Sequence, residues 1–327
     1  MSRTVLVTGA AGFIGSHLTD TLLARGDSVV GLDNLNDYYD PARKRANVDE
    51  IRAAASDPDR FVFVEGDIRD ADLLGRLFDE HGIESVAHLA AMAGVRASVD
   101  DPRLYYDVNL NGTLELLEQA RRVRTRSFVF ASTSSVYANT TTIPFEEEDP
   151  ADRPLAPYPA AKRAAELLGH AYHHLHGLDF AAVRLFTVYG PRGRPDMMAY
   201  KLLDNIFEGT AVPLYNDGQM HRDWTYVLDI ARGITAALDR PLGYEVINLG
   251  CATPVLLADF VAKVEALVGK TTSLTPMPMQ DADVSYTYAR LDKARALLDY
   301  EPQVQVDEGI AAFWDWYRRA VLAPRAG

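Results

Sequence analysis

A short apolar run followed at once by three evenly spaced glycines limits this chain more than any other feature. Thr4-Val5-Leu6-Val7 is β-branched and aliphatic, the composition of a strand buried on both faces of a parallel sheet. Gly9-Ala10-Ala11-Gly12-Phe13-Ile14-Gly15 follows and opens an amphipathic segment from Ser16 to Arg25. Glycines let the backbone turn tightly and approach a pyrophosphate, which then rests on the helix N-terminus. The spacing is G-x-x-G-x-x-G, with the middle glycine offset from the commoner G-x-G-x-x-G. In a strand–loop–helix context it reads as a dinucleotide cradle. A second strand, Ser28 to Leu32, ends at Asp33, eighteen residues after Gly15. An acidic residue there accepts hydrogen bonds from the ribose hydroxyls and repels a 2′-phosphate, which favours NAD over NADP. The alternative is a plain turn residue at a strand end.

The alternation continues. Asn34 begins a turn-rich stretch, and Arg43 to Ala55 reads as a helix. Phe61 to Ile68 is a third strand, placing Asp67 where it can meet an adenine amino group, with Ile68 beside it. Val86-Ala87-His88-Leu89-Ala90-Ala91 is a fourth, and its small residues let a cofactor lie close. His88, in an apolar run, is expected to be packed rather than catalytic. Leu104 to Arg122 is helical and carries Asn109. A fifth strand, Ser127 to Ala131, ends in Ser132-Thr133-Ser134-Ser135. Ligands in doubly wound folds bind beyond the carboxyl ends of strands, so this hydroxyl cluster is well placed. Ala181 to Phe186 is a sixth strand and leads into Thr187.

Beyond this the alternation weakens. Short strands at Val212 to Tyr215 and Glu245 to Leu249 are interleaved with helices starting near Met197, Val227 and Leu257. Thr271 to Tyr288, which includes Asp283, is rich in loop residues. A last helix, Asp307 to Val321, carries an apolar stripe of Ile310, Phe313, Trp314 and Tyr317 that suits core packing. The expectation is an α/β fold: a doubly wound parallel sheet over residues 1–187, to which later segments return, and a smaller mixed α/β lobe over 188–327.

Composition narrows the partners. A formal net charge of −13 argues against non-specific binding to nucleic acid or an anionic membrane. An anionic small molecule then requires a local group of arginines. One cysteine, Cys251, excludes an internal disulfide and fits a reducing compartment. The opening apolar run is too short for a signal peptide or a membrane span, so a soluble cytoplasmic protein is expected, without a metal.

Tyr158-Pro159-Ala160-Ala161-Lys162 supplies the chemistry. Four positions is about one helical turn, so phenol and ammonium can face one site. A free tyrosine, with a pKa of about 10, is a poor base at neutral pH. A lysine charge roughly 4–6 Å away supplies roughly 3–4 kcal/mol toward the phenolate at an effective dielectric of about 20. A second cation, such as an oxidised nicotinamide, could supply the rest.

Taken together, Gly9-x-x-Gly12-x-x-Gly15, Asp67, Asn109, Ser132-Thr133-Ser134 and Tyr158-x-x-x-Lys162 resemble the extended short-chain dehydrogenase/reductases. The match spans nearly the whole chain, and the motifs fall in the family's order. Asn36-Asp37-Tyr38-Tyr39, Gly94 to Ser98 and the run Thr187 to Met198 are most similar to nucleotide-sugar 4-epimerases, especially those acting on UDP-glucuronate. His221 to Asp229 also matches the family's pattern for holding diphosphate and uridine. The resemblance implies a Rossmann-like fold and a tightly bound NAD with NAD+ as the resting form. It implies Tyr158 as base at the sugar 4-hydroxyl, Lys162 lowering its pKa and holding the nicotinamide ribose, and Thr133 on the 4-oxygen. Gly9, Gly12, Phe13, Ile14, Gly15, Asp33, Asn34, Asp67, Ile68, Leu89, Ala90, Ala91, Asn109 and Ser132 are the expected cofactor residues.

For the UDP-hexuronate, the expected contacts are Arg96, Thr133, Ser134, Ser135, Thr187, Tyr215, Arg222 and Asp283, with Arg192 or Arg194 on the carboxylate. Arginine's planar fork matches a carboxylate, but a phosphate or a surface role competes for either arginine. Ser134-Ser135 offers no pKa near 7, unlike the Asp-Glu pair of related 4,6-dehydratases, and Ser135 replaces the glutamate of UDP-glucuronate decarboxylases. UDP-glucose/galactose 4-epimerisation is the alternative reaction, and a non-catalytic NAD-binding protein the alternative class. A homodimer through paired helices is also implied. Arg290 has no role in this reading.

Overall fold

The computed structural model describes residues 3–280 and 282–325. Strands and helices alternate from the start: β1 (Thr4–Thr8), α1 (Phe13–Ala24), β2 (Ser28–Asp33), α2 (Pro41–Ala54), β3 (Phe61–Glu65), α3 (Ala71–His81) and β4 (Ser85–His88). Two short helices follow, α4 (Ala97–Asp100) and α5 (Pro102–Tyr106). The second runs through a wide π turn, Asp107–Asn111, into α6 (Gly112–Val123). β5 (Ser127–Thr133), α7 (Pro157–His176) and β6 (Phe180–Leu185) come next. The remainder holds β7 (Thr187–Tyr189), α8 (Met198–Glu208), β8 (Val212–Tyr215), β9 (His221–Tyr226), α9 (Val227–Asp239) and β10 (Tyr244–Leu249). Then come β11 (Pro254–Leu256), α10 (Leu257–Val268), β12 (Leu274–Met277), α11 (Asp292–Leu298) and α12 (Val306–Tyr317), which continues through a second π turn, Arg318–Leu322, into a last short helix, Ala323–Arg325.

Seven strands form one parallel sheet in the order β10-β6-β5-β4-β1-β2-β3. Alternate residues of each strand enter opposite cores, as a two-residue period requires. Val5, Val7, Val29 and Val129 pack with Leu18, Leu22 and Ile230 on one face. Leu6, Val30, Phe128 and Phe130 pack with Leu74, Leu116 and Leu117 on the other. Burying each such side chain is worth about 1.5–3 kcal/mol, which is why both faces must be covered by helices. The winding reverses between β1 and β4, and the crevice at their carboxyl ends is where a ligand of such a sheet belongs.

Glu245–Leu249, read from sequence among the interleaved strands of the later lobe, is the seventh strand of the main sheet. Ile247, Asn248 and Leu249 are completely buried and pair in register with β6. α9 likewise packs on α1. Leu104 to Arg122, expected as one regular helix, is broken by the π turn that contains Asn109.

The second lobe is built on β9, with β7 parallel on one side and β11 antiparallel on the other. Its core is aromatic, with Trp224 stacked on Phe260 at 3.8 Å. The stripe Ile310, Phe313 and Tyr317 of α12 is buried there, with Trp314 packed alongside. Two carboxylates within the run His221 to Asp229 stitch the chain together. Buried Asp223 accepts the N–H groups of Cys251 (2.6 Å), Ala252 (3.0 Å) and Ala289 (3.0 Å). Asp229 accepts those of Gln303 (2.9 Å) and Val304 (3.1 Å).

Candidate active site

The loop after β1 is folded on itself. Gly9, at φ +72°, donates its N–H to Leu32 at 2.7 Å, and Gly12 donates to Gly9 at 3.0 Å. A Cβ on Gly15 would lie 2.0 Å from the Gly9 carbonyl oxygen, so a side chain there requires the loop to move. Asp33 fixes the loop from the end of β2, accepting Ala11 N–H at 3.2 Å and Leu35 N–H at 2.9 Å. Burial pushes the Asp33 carboxyl up, while the Lys44 charge and those two N–H groups pull it down.

From this loop a cavity of about 370 Å³ runs along the strand ends to Tyr158. Gly9, Gly12, Phe13, Ile14, Gly15, Asp33, Asn34, Asp67, Ile68, Leu89, Ala90, Ala91, Ser132, Tyr158 and Lys162 all line it. Asp67 is held at a pKa of about 2, chiefly by its hydrogen bonds from Arg69. It also accepts from Asn34 at 3.0 Å. A glycine cradle without side chains, a carboxylate at the distal end and small residues between fit an extended dinucleotide. Asn109 is a correction. It is buried behind the wall, and its amide spans the Met92 backbone, accepting at 2.8 Å and donating at 2.9 Å. It shapes the loop after β4 rather than lining the cavity.

Tyr158 and Lys162 project from the first turns of α7, which begins with Pro157 at its first position. Thr133 and Ser135 face them from the end of β5, with Ser135 N–H donating to Thr133 Oγ1 at 3.1 Å. The charge relation differs from the sequence expectation. Burial raises the Tyr158 pKa, and what opposes it is the Arg194 guanidinium together with the Thr133 hydroxyl. Lys162 lies over the Phe130 ring at 4.5 Å, and burial lowers its own pKa to about 7. Four-residue spacing puts both groups on one wall, but the lysine sits deeper, where water is excluded. His88 is packed as expected, bridging the hydroxyls of Thr8 (2.7 Å) and Thr113 (2.9 Å), and burial holds its pKa well below the ordinary value.

The two candidate arginines separate cleanly. Arg194 lines the cavity and pairs with Asp196, Nε to Oδ1 at 2.9 Å and Nη2 to Oδ2 at 2.8 Å. Arg192 faces away, binding Asp20 at 2.6 Å and Glu50 at 2.8 Å beside a separate cavity under α2. Its positive φ of +58° turns it out of the run that carries Arg194, so it is corrected to a structural ion pair. Thr187 lines a small adjoining cavity with Arg194 and Met197. Ser134 is not among the groups lining the main cavity, in contrast to Thr133 and Ser135.

Four more expected substrate residues gather where the loop before α4 meets the second lobe. The Arg96 guanidinium lies over the Tyr215 ring at 3.8 Å and pairs with Asp283 at 2.6 Å. Arg222 is close enough that both charges act on it, and burial lowers its pKa. This cluster of cations and one aromatic face suits a nucleotide diphosphate and base. Arg290 pairs with Glu146 at 3.0 Å, which accounts for its charge.

Sequence reasoning missed Lys44, Met197 and the interior role of Tyr38, all of which line the cavity. Lys44 reads as one charge among many on a polar helix. Only the fold of the turn before α2 brings its Nζ to Asn36, at 2.9 Å from the carbonyl and 2.8 Å from the side chain. Glu166, one turn beyond Lys162, is also buried, accepting from Ser132, from Arg184 at 2.9 Å and from Arg163 at 3.0 Å.

The family described as the NAD dependent epimerase/dehydratase family matches residues 5–250. The chain is 43% identical over 97% of its length to a UDP-glucuronate 4-epimerase of Thermodesulfobacterium geofontis, covering 96% of that protein. It is similar in structure to UDP-glucuronic acid 4-epimerase from Bacillus cereus, solved with UDP-glucuronic acid and NAD. There the TM-score is 0.89 at 34% identity, covering 97% of this chain and 99% of that one. It is also similar to UDP-glucose 4-epimerase from Thermotoga maritima, solved with UDP-glucose, with a TM-score of 0.88 at 29% identity over 98% of this chain and 100% of that one.

Proposed function

The chain belongs to the NAD dependent epimerase/dehydratase family, and we propose that within it the enzyme is a UDP-glucuronate 4-epimerase, interconverting UDP-glucuronate and UDP-galacturonate. The observation that carries the choice of sugar is Arg194. Its guanidinium lines the catalytic end of the cavity and acts on the Tyr158 phenol. A fixed cation there suits a sugar that carries a carboxylate next to the reacting carbon.

When bound, NAD supplies the hydride acceptor and donor at C4, so the alcohol is oxidised and re-formed with no net redox change. Tyr158 takes the proton of the 4-hydroxyl and later returns it. Thr133 holds the 4-oxygen, and Lys162 on the cavity floor would hold the nicotinamide ribose. Positive charge is what Tyr158 needs, since burial alone disfavours its phenolate. Arg194 contributes part of that charge. Between the two half-reactions the 4-keto sugar presents its other face, while Arg96, Tyr215 and Arg222 keep the nucleotide in place.

Proton NMR of the purified protein with UDP-glucuronate and no added cofactor tests this. A new anomeric signal for UDP-galacturonate without accumulating NADH is expected. A pentose signal means decarboxylation instead, and turnover of UDP-glucose alone moves the sugar assignment.

A homodimer fits the same reading. α5 packs beside α7, and Tyr106 and Leu167 on them are 41% and 55% exposed. Sedimentation at twice the chain mass, reduced to the chain mass in Leu167→Glu, is the expected result; a monomeric wild type rejects it.

A further inference from the structure

Arg194 does not wait free in the cavity. The side of its guanidinium carrying Nε and Nη2 is occupied by both oxygens of Asp196. Asp196 is itself held, accepting the Tyr38 hydroxyl at 3.3 Å on Oδ2. Tyr38 comes from the turn after β2, the segment whose Asp33 and Lys44 mark the other end of the cavity. That turn is fixed in its own right: Asn36 Oδ1 accepts Tyr38 N–H at 3.2 Å and Lys44 Nζ at 2.8 Å. The phenol passes close to residue 94, a glycine at φ +104°, where a Cβ would lie 2.6 Å from the Tyr38 oxygen. Burial pushes the Asp196 carboxyl up, but the Arg194 hydrogen bonds and charge outweigh it and keep the group ionised.

We propose that Asp196, braced by Tyr38, is a positioning residue that fixes the direction of the Arg194 fork and leaves its Nη1 edge for the carboxylate of the hexuronate. The inference rests on the reading that Arg194 receives that carboxylate. An arginine side chain has many rotamers, and holding it beforehand removes the ordering cost from substrate binding. A fixed fork also fixes the rotation of the carboxylate about the C5–C6 bond. This matters because the 4-keto hexuronate is a β-keto acid. Loss of CO2 breaks C5–C6, its electron pair passes into the 4-keto group as an enolate, and a solvent proton restores C5. Hydride return then gives a UDP-pentose.

The test uses the NAD-loaded enzyme with Asp196→Asn, and Tyr38→Phe as a milder second variant. Binding of UDP-glucuronate and UDP-glucose is measured by calorimetry, and products by NMR. Asp196→Asn is expected to weaken UDP-glucuronate about tenfold while leaving UDP-glucose within about twofold, as loss of one charge-assisted hydrogen bond predicts. A UDP-pentose signal should appear beside UDP-galacturonate, and Tyr38→Phe should shift both readouts in the same direction. Tighter UDP-glucuronate binding overturns the proposal, because Asp196 would then be a competitor for Arg194. Equal losses for both sugars overturn it as well, leaving a structural role only. No preference for UDP-glucuronate in the wild type removes the carboxylate assignment of Arg194 itself, and the positioning role falls with it. A wild-type preference that survives Asp196→Asn unchanged removes the positioning role alone.

Discussion

At the scale of single residues, the site works by setting buried charges against burial. On the proposed mechanism Tyr158→Phe removes the group that takes the 4-hydroxyl proton, so turnover should fall by about 10³-fold or more. The cofactor content of the purified protein should stay near that of the wild type; near-normal turnover rejects the base. Arg194→Ala should weaken UDP-glucuronate much more than UDP-glucose in the same binding assay, and equal losses would reject its role. Lys162 gives a prediction about pH. Its folded pKa of about 7 lies below the ordinary lysine value of 10.5, so between these pH values the unfolded chain binds more protons. The cofactor-free enzyme should gain up to about 1.4 kcal/mol per pH unit from this residue across that window. The gain is complete above the unfolded value and absent below pH 7. Comparing urea midpoints of wild type and Lys162→Met at pH 7 and pH 9 checks this, since the variant lacks that increment. That Tyr158 and Lys162 share one wall of the cavity was legible from their spacing, as was the glycine-lined turn at its other end. The depth difference that separates Lys162 from Tyr158 was not, because a one-turn offset fixes direction along a helix but says nothing of how far water reaches.

At the scale of elements, short polar anchors decide where segments lie. Gly15→Ala would bring a methyl group against the Gly9 carbonyl, so the loop must open. The purified variant should have lost most of its NAD, measured by acid extraction, while its far-ultraviolet circular dichroism is unchanged. Asp223 pairs three backbone N–H groups from two segments, and its removal leaves those of Cys251 and Ala289 buried without that partner. Asp223→Ala should cost about 3 kcal/mol or more in denaturant unfolding, and a loss under about 1 kcal/mol would show that these groups find other partners. The motif around Asp223 was visible in the sequence, but the part that Asp223 plays in it was not. A family pattern marks that a stretch of chain matters near the nucleotide, whereas the hydrogen bonds show Asp223 accepting from the chain's own backbone. Arg192 and Arg194 show the same limit. They are two residues apart in a loop where Arg192 has a positive φ, and they point into different cavities.

At the scale of the whole molecule, the parallel sheet and the return of later segments to it were foreseeable from the alternation of apolar runs and amphipathic helices, but which segment forms its seventh strand was not. β10 looks like any short strand of the later half, and only its burial against β6 assigns it. This has a consequence for how the protein is made. A chain emerging from the ribosome folds from its N-terminal end, at about 5–20 residues per second. β6 is therefore synthesised on the order of 5 s before β10 exists to cover its edge. During that interval the nascent sheet presents an unpaired parallel strand, a template for pairing with a neighbouring chain. Polysomes translating this message would carry several such edges close together, so yield of active enzyme should depend on elongation speed between the codons for Leu185 and Leu249.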